Sequence, residues 1–124
     1  MKRWLGKYSD VAYVLLRVVA GLLFAQHGAQ KLFGVLGGEA VPPFSIMGLA
    51  GIIELAGGLM IALGIFASWV AFIASGEMAV AYFWRHAPSG FWPIQNRGEL
   101  AALYCFIFLY VATRGSGRWR LTRE

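Results

Sequence analysis

The chain has 124 residues, 59% of them hydrophobic, and a formal net charge of +5. A soluble domain of this length cannot hide that much apolar surface, so lipid is the expected solvent. Most of the cations lie at the two ends, outside the apolar stretches, a pattern that sets orientation in a membrane and gives no reason to invoke nucleic acid.

Four apolar stretches, about 11–33, 46–65, 67–83 and 98–113, come close to the roughly 17–25 residues that cross a bilayer. They predict one all-α domain over 1–124, a bundle of four transmembrane helices. The fourth stretch would rise only about 24 Å at about 1.5 Å per residue, so it must stand upright or borrow residues at its ends. Lys2, Arg3 and Lys7 precede the first stretch, and Arg114, Arg118, Arg120 and Arg123 follow the last, whereas 34–45 carries no Lys or Arg. The positive-inside rule then puts both termini in the cytoplasm, which needs an even number of spans.

The start of the first stretch has the charge pattern of a signal peptide. That reading fails, because Arg17 interrupts the apolar run and the site before Gln26 has Leu23 where a small residue is required. At about 100° per residue, Arg17, Gly21, Gly28 and Lys31 fall within about 80° of arc, with His27 about 40° further round. Arg17 and Lys31 as snorkelling anchors at opposite ends is one reading. It leaves His27 and the glycines on the same side without a reason.

The segment 34–45, with Gly37-Gly38 and Pro42-Pro43, reads as a first external loop. In the second stretch Glu54 lies near the middle, where an unpaired charge costs at least a few kcal/mol. Gly51 and Gly58 lie within about 60° of it, which lets a neighbouring helix approach closely. The candidate partners are Arg17, His27 and Lys31. Residues 64–68 must turn the chain, so the second and third helices are expected to be antiparallel neighbours, with Ser68 as a cap.

The third stretch carries Glu77 beside Gly76, bordering a stripe of Ala67, Ala71, Ala74, Met78 and Ala81. The second external loop, 84–97, holds Arg85, His86, Phe91, Trp92 and Arg97, a mixture suited to the headgroup layer. Together with Tyr82, Phe83 and Trp84, its aromatics read as an interfacial belt; a stacking site for a quinone ring is the competing reading. Asn96-Arg97-Gly98-Glu99 has the form of a capping box, which predicts the start of the fourth helix. Cys105 is the single cysteine, so no internal disulfide or paired-thiol chemistry is available, and a packing role is expected.

Arg17, His27, Lys31, Glu54 and Glu77 therefore form the candidate buried polar cluster, with Asn96 and Glu99 secondary. Two readings compete. A buried ion-pair network fixes helix register and adds little net stability. Alternatively the cluster lines a cavity for a polar head or carries protons, since desolvation favours the protonated form of an unpaired carboxylate. No metal site is expected, because His27 and His86 lie on different segments and no set of His, Cys and acids has ligand spacing.

Arg17, Gly21, Phe24, His27-Gly28 and Lys31-Leu32 resemble the opening signature of the DoxX family of small four-helix membrane proteins. Glu54 with Gly57-Gly58 and Gly64 is similar to that family's second span, Met78 to its third, and Asn96, Glu99-Leu100 and Tyr104 to its fourth. The ending Gly115-Ser116-Gly117-Arg118-Trp119 is similar to its glycine-rich exit; the acid that often follows is absent here, where Leu121 precedes Thr122. The resemblance implies a bundle in the cytoplasmic (inner) membrane, associated with quinone-linked oxidation of sulfur compounds or with redox and stress enzymes. Bundles that do thiol chemistry, such as vitamin K epoxide reductase, need paired cysteines, so that branch is excluded.

The expected function is a membrane subunit or binding protein of a quinone-linked redox or stress process, with a polar pocket inside the bundle. Lys31 and His27 would donate to a quinone carbonyl or small anion, and Glu54 or Glu77 would exchange a proton. No group is expected to be covalently bound; electrons must come from a redox partner protein, so the chain is not expected to be a complete enzyme. The small-residue faces also suit a homo-oligomer. A small proton-coupled transporter is the rival, although Arg17 and Lys31 in the first span should repel cations. A purely structural assembly factor is the third reading.

Overall fold

The computed structural model describes residues 1–122, and Arg123, counted above among the C-terminal cations, lies outside them. The described residues are helical with connecting turns and contain no strand. Four principal helices carry the fold: α1 (Ser9–Phe33), α2 (Ile46–Leu63), α3 (Ala67–Ala81) and α4 (Glu99–Arg114). Lys2–Leu5 and Gly6–Tyr8 lead into α1 without a break, so that Lys2–Phe33 and Ile46–Leu63 are both long and apolar enough to cross a membrane.

Local chemistry sets the helix ends. α1 stops at Gly34, whose left-handed φ of 67° lets its N–H close back on the Gln30 carbonyl. The Ser45 hydroxyl accepts from the Gly48 N–H at 3.0 Å and starts α2. α2 is not uniform: Ile53–Gly57 forms a π-helical turn, and Glu54 sits inside it. Gly64 and Phe66, both with positive φ, turn the chain tightly into α3.

Ser68 was expected to cap α3 and does not. Its hydroxyl donates instead to the Ala112 carbonyl at 2.6 Å, while Thr122 Oγ1 accepts from the Phe66 N–H at 2.7 Å. Asn96 is likewise not the cap of α4. It ends a short helix, Pro93–Asn96, and Arg97 then takes a left-handed φ of 61°, so the capping position falls to Gly98.

The helices pack as two pairs. α1 lies antiparallel on α2 with almost no side chain between them. A Cβ on Gly21 would stand 2.6 Å from the Gly58 carbonyl oxygen, and one on Gly28 would stand 2.2 Å from the Leu55 nitrogen. Gly21 and Gly28 are seven residues apart, as are Gly51 and Gly58, so the small faces meet twice along the seam. α3 packs on α4 through the buried stripe Ala67, Ala71, Ala74 and Met78, against Ala101, Tyr104, Phe108 and Val111. Ser75 Oγ adds a bond to the Cys105 carbonyl at 2.7 Å.

The pairs join firmly at the end that holds the chain termini. Arg17, 1% exposed, donates to the carbonyls of Ser116, Ala62 (3.2 Å) and Trp119 (2.5 Å), and the Tyr13 hydroxyl donates to the Gly115 carbonyl. These bonds fold the C-terminal segment under the bundle. Toward the opposite end, where 34–45 and 87–98 make the loops, α2 and α3 part.

The outer surface is apolar along its whole length: Leu15, Val19 and Leu22 on α1, Trp69, Phe72 and Ile73 on α3, Leu103 and Phe106 on α4 are all exposed. Polar groups face inward and large hydrophobics outward, the arrangement of a protein solvated by lipid.

Candidate functional site

The parting of α2 from α3 leaves a cavity of about 1000 Å³ with walls from all four principal helices. It is open sideways, past Ile46 and Leu49 of α2 and Ile73 and Val80 of α3, each of which is exposed. Its inner end holds the polar groups: His27 and Lys31 from α1, Glu54 from α2, Glu77 from α3 and Tyr104 from α4. At the loop end the mouth carries Arg85, His86 and Arg97, and Arg85 reaches across the gap to the Met47 sulfur.

Glu54 is 1% exposed, and its Oε2 accepts from Lys31 Nζ at 2.5 Å; Lys31 itself keeps 26% of its side chain exposed, toward the cavity and the loop end. This bond is possible because Gly28 and Gly51 bring the backbones of α1 and α2 together one turn away. The π-helical turn matters too. Such turns interrupt the regular hydrogen-bond ladder, are frequent at functional sites, and here re-aim Glu54 within α2. Glu77 faces Glu54 from α3. One oxygen of each acid, Glu54 Oε1 and Glu77 Oε1, is buried without a hydrogen-bond partner among the described residues.

An aromatic floor lies below the acids. Tyr104 stacks on Phe108 with centroids 5.4 Å apart, Phe24 packs on both rings, and His27 meets Tyr104 edge-on at 6.1 Å. The site thus offers a long apolar slot ending in donors and acceptors, a form suited to an amphiphile with a flat polar head. Among the described residues no group of His, Cys, Asp and Glu is placed to hold a metal ion.

Four of the five residues expected to cluster, His27, Lys31, Glu54 and Glu77, line this one cavity. Arg17 does not. It lies fourteen residues before Lys31 on the same helix, about 21 Å away at about 1.5 Å per residue, and its guanidinium serves the backbone carbonyls of the C-terminal segment. Nor does it snorkel, since it is buried.

Of the secondary candidates, Asn96 knits the loop before α4. Its Nδ2 donates to the Tyr82 hydroxyl at 3.1 Å and the Gly90 carbonyl at 3.0 Å, and its Oδ1 accepts from the Gly98 N–H at 2.8 Å. Glu99 is exposed in the first turn of α4 and does not line the cavity. Tyr104 and Gly76 are lining residues whose place in the site was missed. The three-and-four spacing of Ala101, Tyr104, Phe108 and Val111 was a usable signal for Tyr104. Gly76 gave none, because an open cavity beside a glycine looks in sequence like any close helix contact.

The model of the DoxX family matches residues 12–87, which include most of α1 and all of α2 and α3, and with them His27, Lys31, Glu54 and Glu77. An uncharacterized protein of Haemophilus influenzae is 40% identical over 127 aligned positions, covering 97% of this chain and 95% of that protein. No solved structure matches the chain. A family match over more than half of the chain, on three of the four helices that line the cavity, identifies this membrane protein as a member of the DoxX family.

Proposed function

We propose that the protein crosses the cytoplasmic (inner) membrane four times, with both termini in the cytoplasm, and binds a quinone-type amphiphile between α2 and α3. It then acts as the membrane subunit of a quinone-linked redox or stress process, with electrons supplied by a partner protein. The observation that carries this reading is the lateral cavity of about 1000 Å³, apolar where it opens between α2 and α3 and polar at its inner end and at the loop-end mouth. An isoprenoid tail fits the slot without desolvating a charge. The head would meet Lys31, His27 and the Tyr104 phenol, groups able to hydrogen-bond a ring carbonyl.

Gly76 provides the test. It lines the cavity, and a Cβ built on it meets nothing within 4 Å. Gly76→Leu fills the slot and leaves every charged group in place. Purification in mild detergent with mass spectrometry of the bound lipids should find a quinone with the wild type and none with Gly76→Leu. Wild type free of quinone, with decylubiquinone failing to bind in titration, would remove the reading.

A further inference from the structure

The charges at the inner end of the cavity do not balance as drawn. α1 brings Lys31 and His27 to it, α2 Glu54, α3 Glu77 and α4 the Tyr104 phenol; Arg85, His86 and Arg97 stand at the mouth. Lys31 bonds to Glu54 Oε2, and no ion pair among the described residues reaches Glu77. Two ionised carboxylates opposite one another can only accept hydrogen bonds, so each leaves an oxygen orphaned and repels the other. Glu54 Oε1 and Glu77 Oε1 are the orphans observed, one on each acid. A single proton between them removes both defects. It supplies the missing donor to each oxygen, and it takes the Lys31, Glu54 and Glu77 unit from one net negative charge to none.

We propose that Glu54 and Glu77 hold one proton in common, so that together with Lys31 the inner end of the cavity is electrically neutral and selects neutral hydrogen-bond-accepting heads over cations. The shared proton stands on the carboxyl geometry alone; the selection of heads rests on the proposed amphiphile site and names its ligand class.

The wild-type protein in lipid nanodiscs, with nothing added, gives the first measurement. Infrared spectra at neutral pH should contain a protonated-carboxyl C=O band that shifts down in D2O. Asp10, Glu39 and Glu99 lie at the surface and contribute no such band. Glu77→Gln should lose the band yet melt as the wild type does, because its amide donates to Glu54 Oε1 in place of the acid. A spectrum without the band, or a Glu77→Gln protein that does not fold, overturns the shared proton. In titrations, decylubiquinone should bind at least about tenfold more tightly than tetraphenylphosphonium, a difference of about 1.4 kcal/mol. Tighter binding of the cation overturns the selection; absence of quinone binding with the band present removes the proposed function and leaves the shared proton standing.

Discussion

Lys31 Nζ and Glu54 Oε2 stand 2.5 Å apart, and this bond joins α1 to α2 in the wall of the cavity. The two partners are not equivalent, because Glu54 is buried and Lys31 is partly exposed.

Lys31→Met leaves a buried acid without its cation, and its cost should approach the roughly 3–5 kcal/mol of breaking a buried pair from one side. Glu54→Gln frees a lysine that can extend toward the headgroup layer, and should cost about 1 kcal/mol or less, as for a partly exposed pair. Denaturant or thermal unfolding in detergent checks the order. Equal costs would deny the pair this asymmetry.

Gly28→Ala places a methyl group 2.2 Å from the Leu55 nitrogen, so α1 and α2 must separate. The expected loss is about 1–3 kcal/mol, the usual cost of overpacking. Gly76→Ala meets nothing and gains helix propensity, so it should stabilise by up to about 1 kcal/mol. Paired melting curves of the two variants test the opposite signs.

Arg17→Lys keeps the charge but loses the planar fork that serves the carbonyls of Ser116, Ala62 and Trp119. Charge-assisted bonds of this kind are worth about 1.5–3 kcal/mol each. Limited proteolysis or hydrogen exchange should show the segment 115–122 opening in the variant while α1 to α4 keep their protection. Unchanged protection of that segment would deny Arg17 its structural role.

The proposed topology is open to labelling. In a Cys105→Ser background, a cysteine at Gly37 should react with an impermeant maleimide in intact spheroplasts, and one at Ser9 only after lysis. The reverse pattern would invert the chain in the membrane.

Much of this was legible in the residues, for identifiable reasons. Helix existence followed from apolar length, and a close helix contact at Gly51 and Gly58 followed from their lack of a side chain, but α1 as the helix that fills it was legible only through the candidate partners of Glu54. The partner of Glu54 was legible only as a set of three, because helical periodicity fixes a face and not a height along it. Height separated Lys31 from Arg17. The π-helical turn at Ile53–Gly57 has no sequence signature here, so the aim of Glu54 could not be read. The caps failed for different reasons: the Ser68 hydroxyl found Ala112 on α4, a partner that no local pattern contains, whereas the left-handed turn at Arg97 leaves Asn96 Oδ1 accepting from the Gly98 N–H before α4 begins.

The two ends of the bundle differ in how tightly they are closed. At one end the buried Arg17 and the folded-back C-terminal segment seal the helices; at the other α2 and α3 stand apart. Under the proposed four-span topology such a molecule would be a blind alley and not a corridor, with its opening toward the leaflet on the side of the loops 34–45 and 87–98. A ligand of the proposed site would then arrive and depart through the same half of the membrane.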